Sequence, residues 1–282
     1  VTCQSAFAAS GSPENQKYLA LAMGNIFGSV LIQITLILGI VVIVKPLNLE
    51  SGWLARDGTM MIVALLSLSL LVWFDSELSR IEGGFLAGSY LIYIGYLITK
   101  SKTSGKQMKS KDQEEEDENV RDWAGLPIII CLVLGLGAAV LASEKMVSSA
   151  SYIARVMGIS EAVIGTTIAA AGTSLPELAV GIAAAYRSSG VAIGTLLGSN
   201  ITDPLLSIGL AAMIYPITFS EETVGKENYT DITHWIIPAA IISTFLAMTF
   251  MWTSDRFKRS EGYILVSAYL LFLVGLVTRI YS

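Results

Sequence analysis

The sequence predicts an all-α integral membrane protein built from two related halves that cross the bilayer in opposite directions. Three observations predict it. Of 282 residues, 53% are hydrophobic and 15% charged, whereas a soluble domain carries about a quarter charged residues; the mean hydropathy is +0.63. The apolar residues fall in runs of roughly 20, the length a helix needs to span a bilayer. The chain also matches itself at two fixed offsets, the mark of an internal repeat.

The elements follow in order. Val1 to Ser10 is rich in small residues and lacks a signal-peptide pattern. It reads as the tail of a helix that starts upstream. Eight hydrophobic spans come next, at 19–44, 59–74, 83–99, 124–143, 161–186, 190–215, 233–253 and 261–280, with a short small-residue helix over 146–157. The polar connection 100–122 holds five lysines and then the acidic run Asp112 to Glu118. A like-charge block of this kind reads as a disordered linker, without the fixed cage a bound cation needs. The domains are therefore a first half, 1–99, a charged linker, 100–122, and a second half, 123–282. With the linker in the cytoplasm, 12 of the 18 Lys and Arg lie on its side, as the positive-inside rule asks. Asn228-Tyr229-Thr230 then lies outside as a glycan-acceptor pattern.

The composition excludes several classes. No basic stripe suits nucleic acid. Cys3 and Cys131 are too few for a disulfide framework or a thiolate metal site. No Ser-His-Asp arrangement, P-loop or zinc signature is present, so the chain reads as neither an enzyme nor a cofactor carrier. The partner it requires is membrane lipid, and the sequence sets no oligomeric state.

The repeat is specific. At an offset of 170, residues 21–40 lie on 191–210 with six identities in twenty, Gly24, Gly28, Ser29 and Gly39 among them, and Pro46 falls on Pro216. At an offset of 179, residues 73–99 lie on 252–278 with nine identities in 27, including Trp73 and the Arg80-x-Glu82-Gly83 group. The matched spans run in opposite directions. Inverted repeats of this kind are typical of secondary transporters, with the site at the repeat interface near the midplane.

Candidate site residues stand on that interface. In Ala169-Ala170-Ala171-Gly172-Thr173-Ser174-Leu175-Pro176-Glu177, Pro176 cannot donate to the carbonyl of Gly172, so the helix is expected to loosen between Ala170 and Pro176. Freed carbonyls at membrane depth are tolerable only where they line a polar cavity. Thr173 and Glu177 are four apart and share a face, with Ser174 beside them. A carboxylate, two hydroxyls and carbonyl oxygens make a hard-oxygen site that suits Ca²⁺ and Na⁺. In Gly194-Thr195-Leu196-Leu197-Gly198-Ser199-Asn200-Ile201-Thr202-Asp203, Ser199 and Asp203 share a face in the same way. The first-half mates are Ser29 and Gln33, the latter neutral where Asp203 is charged. Asn25 reads as packing rather than as a ligand. An acid at the bilayer centre costs roughly 2.5–3.5 kcal/mol, so Glu177 and Asp203 point to function.

These residues carry a resemblance. The stretch Ile159 to Ala185, followed by Gly194 to Asp203, resembles the second α-repeat of the Na⁺/Ca²⁺ exchanger family, in the compact prokaryotic style. Leu21 to Gln33 is similar to the end of the first α-repeat. The resemblance implies an exchanger fold of ten transmembrane helices in two inverted halves of five. The first half here would lack its first helix and most of its second, and with them the first acidic motif. It implies ion ligands at Glu177, the carbonyls of Ala170 and Thr173, the hydroxyls of Thr173, Ser174, Ser199 and Ser29, and the paired acid and amide Asp203 and Gln33. The family usually has Asn or Asp where Gln33 stands. The implied activity is exchange of Ca²⁺ for Na⁺ by alternating access, in the plasma membrane if net transport is efflux. Two other readings stay open: a Ca²⁺/H⁺ antiporter, and a non-transporting sensor or scaffold on the same fold.

Overall fold

A computed structural model of the chain describes residues 17–49, 54–74, 77–108, 156–253 and 256–280, with scattered positions between 130 and 153. Seven helices among the described residues are long and apolar enough to cross a membrane: α1 (Tyr18–Val44), α2 (Ala55–Phe74), α3 (Arg80–Met108), α4 (Glu161–Arg187), α5 (Ser189–Ile214), α6 (Lys226–Thr253) and α7 (Arg259–Arg279). They fall on seven of the eight expected spans. The helix tail 1–10 lies outside the described residues, and of the expected span 124–143 only Ile130, Leu134, Ala138, Leu141 and Ala142 are described, each of them helical. α3 runs on to Met108, so the first eight residues after Lys100 are helical where a disordered linker was expected. Its last turns contain Lys102 and Lys106, good helix formers that tolerate this extension.

Among the described residues, four two-residue strands close the turns: β1 (Leu47–Asn48), β2 (Glu77–Leu78), β3 (Ile217–Thr218) and β4 (Arg256–Phe257). β1 pairs antiparallel with β4, and β2 with β3. β1 recurs in β3 at an offset of 170, and β2 in β4 at 179, the offsets of the sequence matches. Each pairing therefore joins one half to the other, once on each rim of the molecule. α1, α2 and α3 each run opposite to their repeat mates, α5, α6 and α7 respectively.

The sequence matches acquire physical causes. In Ser79-x-x-Glu82 the Glu82 carboxylate accepts from the Ser79 N–H at 2.8 Å and the Ser79 hydroxyl accepts from the Glu82 N–H at 3.3 Å, a reciprocal cap on α3. Glu261 accepts from the Lys258 N–H at 2.7 Å in the same place on α7. The adjoining glycines let helices meet backbone to backbone. A Cβ on Gly83 would stand 2.7 Å from the Gly209 carbonyl oxygen, and one on Gly262 would stand 2.8 Å from that of Gly39. The pairs α3–α5 and α7–α1 are thus the same contact made twice. Close approach through small residues substitutes in lipid for the hydrophobic drive available in water.

Polar ties finish each rim. Lys45 Nζ donates to the Tyr186 carbonyl at 3.1 Å and lies over that residue's ring, holding the end of α1 to the end of α4. On the opposite rim Ser160 caps α4, donates to Asp231 at 2.6 Å, and Asp231 pairs with Arg279 at 2.8 Å. Asn228 belongs to this network and not to the surface. It is buried, its Oδ1 accepts from the Ala162 N–H at 2.9 Å, and its Nδ2 donates to Glu161 at 3.2 Å. The expected glycan acceptor is therefore a structural cap, its amide spent on the first turn of α4.

Candidate cation site

Five π-turns among the described residues, in which the chain widens by one residue, interrupt the helices. Three of them converge on the candidate residues. The Leu38 N–H reaches back five residues to the Gln33 carbonyl, the Ile208 N–H to that of Asp203, and the Ala170 N–H to that of Gly165. Gln33 and Asp203 each open their own turn, at the 170 offset. Ala170 follows directly on the third. Such turns re-aim side chains and redirect carbonyls, and they are frequent at functional sites. The loosening of α4 is thus displaced from its expected place: the wide turn spans Gly165–Ala169, and helix continues from Ala170 through Pro176. Pro176 removes one donor without breaking the helix.

α1 and α4 cross in direct backbone contact at this level. A Cβ on Gly28 would stand 2.5 Å from Thr166 Cα, and one on Gly24 or Gly165 would also meet opposing main chain. Thr166 Oγ1 lies 3.1 Å from the Gly24 carbonyl across the crossing. The crossing brings the polar face of α1 against that of α4. Asn25, Ser29 and Gln33 are spaced by four along α1, and all three are buried.

The side chains connect as follows. Gln33, 1% exposed, donates through Nε2 to Ser174 Oγ at 3.3 Å. Its Oε1 accepts from Ser199 Oγ at 2.7 Å. Thr173 Oγ1 lies 3.0 and 3.2 Å from the carbonyls of Ala169 and Ala170, and 3.3 Å from Asn25 Oδ1. Asn25, read from sequence as packing, is thus part of the cluster; its signal is the four-residue spacing with Ser29 and Gln33. Asp203 accepts from Ser207 at 3.5 Å. Glu177 Oε2 is buried with no hydrogen-bond partner among the described residues. Ser29 is buried one turn before Gln33 on the same face.

Of the eight candidate residues, hydrogen bonds join Gln33, Ser174 and Ser199 in one chain and Thr173 with the Ala170 carbonyl in a second; among the described residues they do not link Glu177, Asp203 or Ser29 to either chain, and Ser29 is buried on the α1 face that carries Gln33. Among the described residues no three His, Cys, Asp or Glu side chains converge. The oxygens available are two carboxylates, several hydroxyls, the Asn25 and Gln33 amides and main-chain carbonyls, a set that suits hard cations and not a thiophilic metal. A buried carboxylate oxygen with no donor beside it is the place where a cation would restore the balance of charge.

Comparison with known proteins places the chain among cation exchangers by sequence and by fold. The family model described as sodium/calcium exchanger protein matches residues 4–99 and 127–278. A putative antiporter, CaxA, from Alkalimonas amylolytica is 29% identical over 258 residues, covering 90% of this chain and 78% of that protein. The inner membrane protein YrbG of Escherichia coli is 34% identical over 201 residues, 70% of this chain and 61% of its own length. The sodium/calcium exchanger MaX1 of Methanosarcina acetivorans is 29% identical over 295 residues, 93% and 81% of the two chains. Among solved structures, the sodium-calcium exchanger NCX_Mj soaked with Na⁺ and Ca²⁺ superposes with a TM-score of 0.62 at 23% identity, over 97% of this chain and 80% of that one. At that identity the likeness is one of fold.

Proposed function

This chain belongs to the sodium/calcium exchanger protein family, and from that premise we propose that it exchanges Ca²⁺ for Na⁺ across a membrane by alternating access. The carrying observation is Glu177, whose Oε2 is buried and takes no hydrogen bond from the described residues, with Asp203 as a second acid inside a membrane-spanning helix. In this reading Glu177 is the principal ligand. Asp203, the carbonyls of Ala170 and Thr173, and the hydroxyls of Ser174, Ser199 and Ser29 complete the oxygen set, with the Gln33 amide beside it, bonded to two of those hydroxyls.

The mechanism follows from charge. Moving an uncompensated carboxylate pair through a low-dielectric interior is costly. The site therefore crosses only when cations neutralise it. One Ca²⁺ or several Na⁺ supply that neutralisation, and because they use the same oxygens they exclude each other. Competition for shared ligands becomes counter-transport when the site opens alternately to the two faces. The face carrying Lys45, Arg56, Arg187, Arg256, Lys258 and Arg259 is assigned to the cytoplasm, and inward Na⁺ then drives Ca²⁺ out across the plasma membrane. The partners are lipid and the two ions.

The test is Ca²⁺ flux in reconstituted vesicles with an imposed Na⁺ gradient and the pH clamped on both sides. The expected result is Ca²⁺ movement that reverses when the Na⁺ gradient is reversed. Flux that ignores Na⁺ and follows an imposed proton gradient would replace this reading with a Ca²⁺/H⁺ antiporter.

A further inference from the structure

We propose that Gln33 is a specificity-determining strap, which sets the size discrimination of the site among divalent cations by fixing the spacing of Ser174 and Ser199. The inference rests on the reading of the site as a divalent-cation site. Three observations support it. Gln33 is fully buried, and both ends of its amide are engaged on two different helices, α4 through Ser174 and α5 through Ser199. Its backbone is committed as well, since it opens the π-turn that closes at Leu38. The arrangement is also one-sided: Asp203, its mate at the 170 offset, takes a hydrogen bond from Ser207 on its own helix. The repeat alone therefore does not dictate the strap.

The physical consequence is rigidity. Selectivity among hard cations depends on cavity size, ligand number and the flexibility of the cage. Ser174 adjoins Thr173, and Ser199 stands one turn before Asp203. Their separation thus bounds the space between the oxygens of α4 and those of α5. A side chain bonded to both hydroxyls resists their spreading to admit a larger ion, as partners outside the ligand shell commonly orient the ligands within it. Gln33 acts here as a positioning residue.

Substitutions separate the strap from mere filling of space. Gln33→Asn removes one carbon–carbon bond, about 1.5 Å of reach, and cannot hold both hydroxyls. Gln33→Met keeps length and volume and loses both hydrogen bonds. Gln33→Glu keeps the reach, and both serine hydroxyls can donate to it. The measurement is uptake of labelled Ca²⁺ into vesicles with Ba²⁺ as competitor, read as the ratio of Ca²⁺ to Ba²⁺ half-saturation. The expected result is a loss of discrimination on the order of tenfold in Gln33→Asn and Gln33→Met, with the wild-type ratio kept in Gln33→Glu. A packing role would spare Gln33→Met. An unchanged ratio in both Gln33→Asn and Gln33→Met, with Ca²⁺ uptake continuing, overturns the strap alone. Wild-type vesicles that take up no Ca²⁺ under either a Na⁺ or a proton gradient overturn the cation-exchange reading beneath it.

Discussion

Glu177 stands inside a helix and is followed by Leu178, Ala179 and Val180. An acid at the bilayer centre costs roughly 2.5–3.5 kcal/mol, and here one of its oxygens is buried without a donor from the described residues. Gln is nearly the same shape and lacks the charge. Glu177→Gln is therefore expected to leave the protein folded while weakening Ca²⁺ binding by about 3 kcal/mol, on the order of 100-fold in flux at limiting Ca²⁺. Gel filtration of the variant beside vesicle flux measures both; a monodisperse variant that still transports Ca²⁺ would remove Glu177 from the site. Residues of this kind are legible in sequence because an acid in an apolar run is costly unless it meets a cation or a proton there. Asp203 gives the same signal. Gln33 is legible as a site position through its 170 offset from Asp203, but its bridge to Ser174 and Ser199 is not. That bridge depends on how α1 crosses α4 and α5, which spacing along one chain does not encode. Asn25 shows the opposite case. Its place on the Ser29–Gln33 face is in the sequence, and only its contact with Thr173 makes that place matter.

Helix boundaries are legible at the level of elements because capping and hydrophobic length are local properties. The Glu82 and Glu261 caps and the paired glycines give the reason why the second match keeps an Arg-x-Glu-Gly group. The π-turns are not legible. A single widened turn adds one residue and leaves the apolar character of the span intact, so α4 loosens at Gly165–Ala169 although proline points to a later stretch. The glycines offer a test at this scale. Gly28 faces the Thr166 main chain so closely that an added Cβ would sit 2.5 Å from Thr166 Cα, whereas one on Gly88 would meet nothing within 4 Å among the described residues. Gly28→Ala is expected to force α1 from α4 and destabilise by about 1–3 kcal/mol. Gly88→Ala, which adds helix propensity without a clash, is expected to be neutral or stabilising by up to about 1 kcal/mol. Denaturation midpoints of the two purified variants in one detergent decide it. Equal shifts would mean that the α1–α4 crossing is looser than its backbone contacts indicate.

Across the whole molecule the two halves are sewn together by β1–β4 on one rim and β2–β3 on the other, and by the reciprocal glycine contacts α1–α7 and α5–α3. The frame around the site is thereby braced at both ends. Ion binding then acts on a body that is already assembled, and its free energy appears as added stability of the folded state. A ligand that binds only the folded protein stabilises it by about 2.7 kcal/mol at one hundred times its dissociation constant. Ca²⁺ is therefore expected to raise the denaturation midpoint of the detergent-solubilised protein in proportion to the logarithm of its concentration, and Glu177→Gln to abolish that dependence. Shared oxygens make a sharper demand. If Na⁺ and Ca²⁺ neutralise the same carboxylates, adding Na⁺ at fixed Ca²⁺ shifts the Ca²⁺ titration to higher concentration, and the two stabilisations do not add. Titrating Ca²⁺ at several Na⁺ concentrations, with choline holding ionic strength constant, separates the cases. Fully additive stabilisation would place the ions in independent sites, and an exchanger whose coupling comes from competition for one site could not then be built on Glu177 and Asp203.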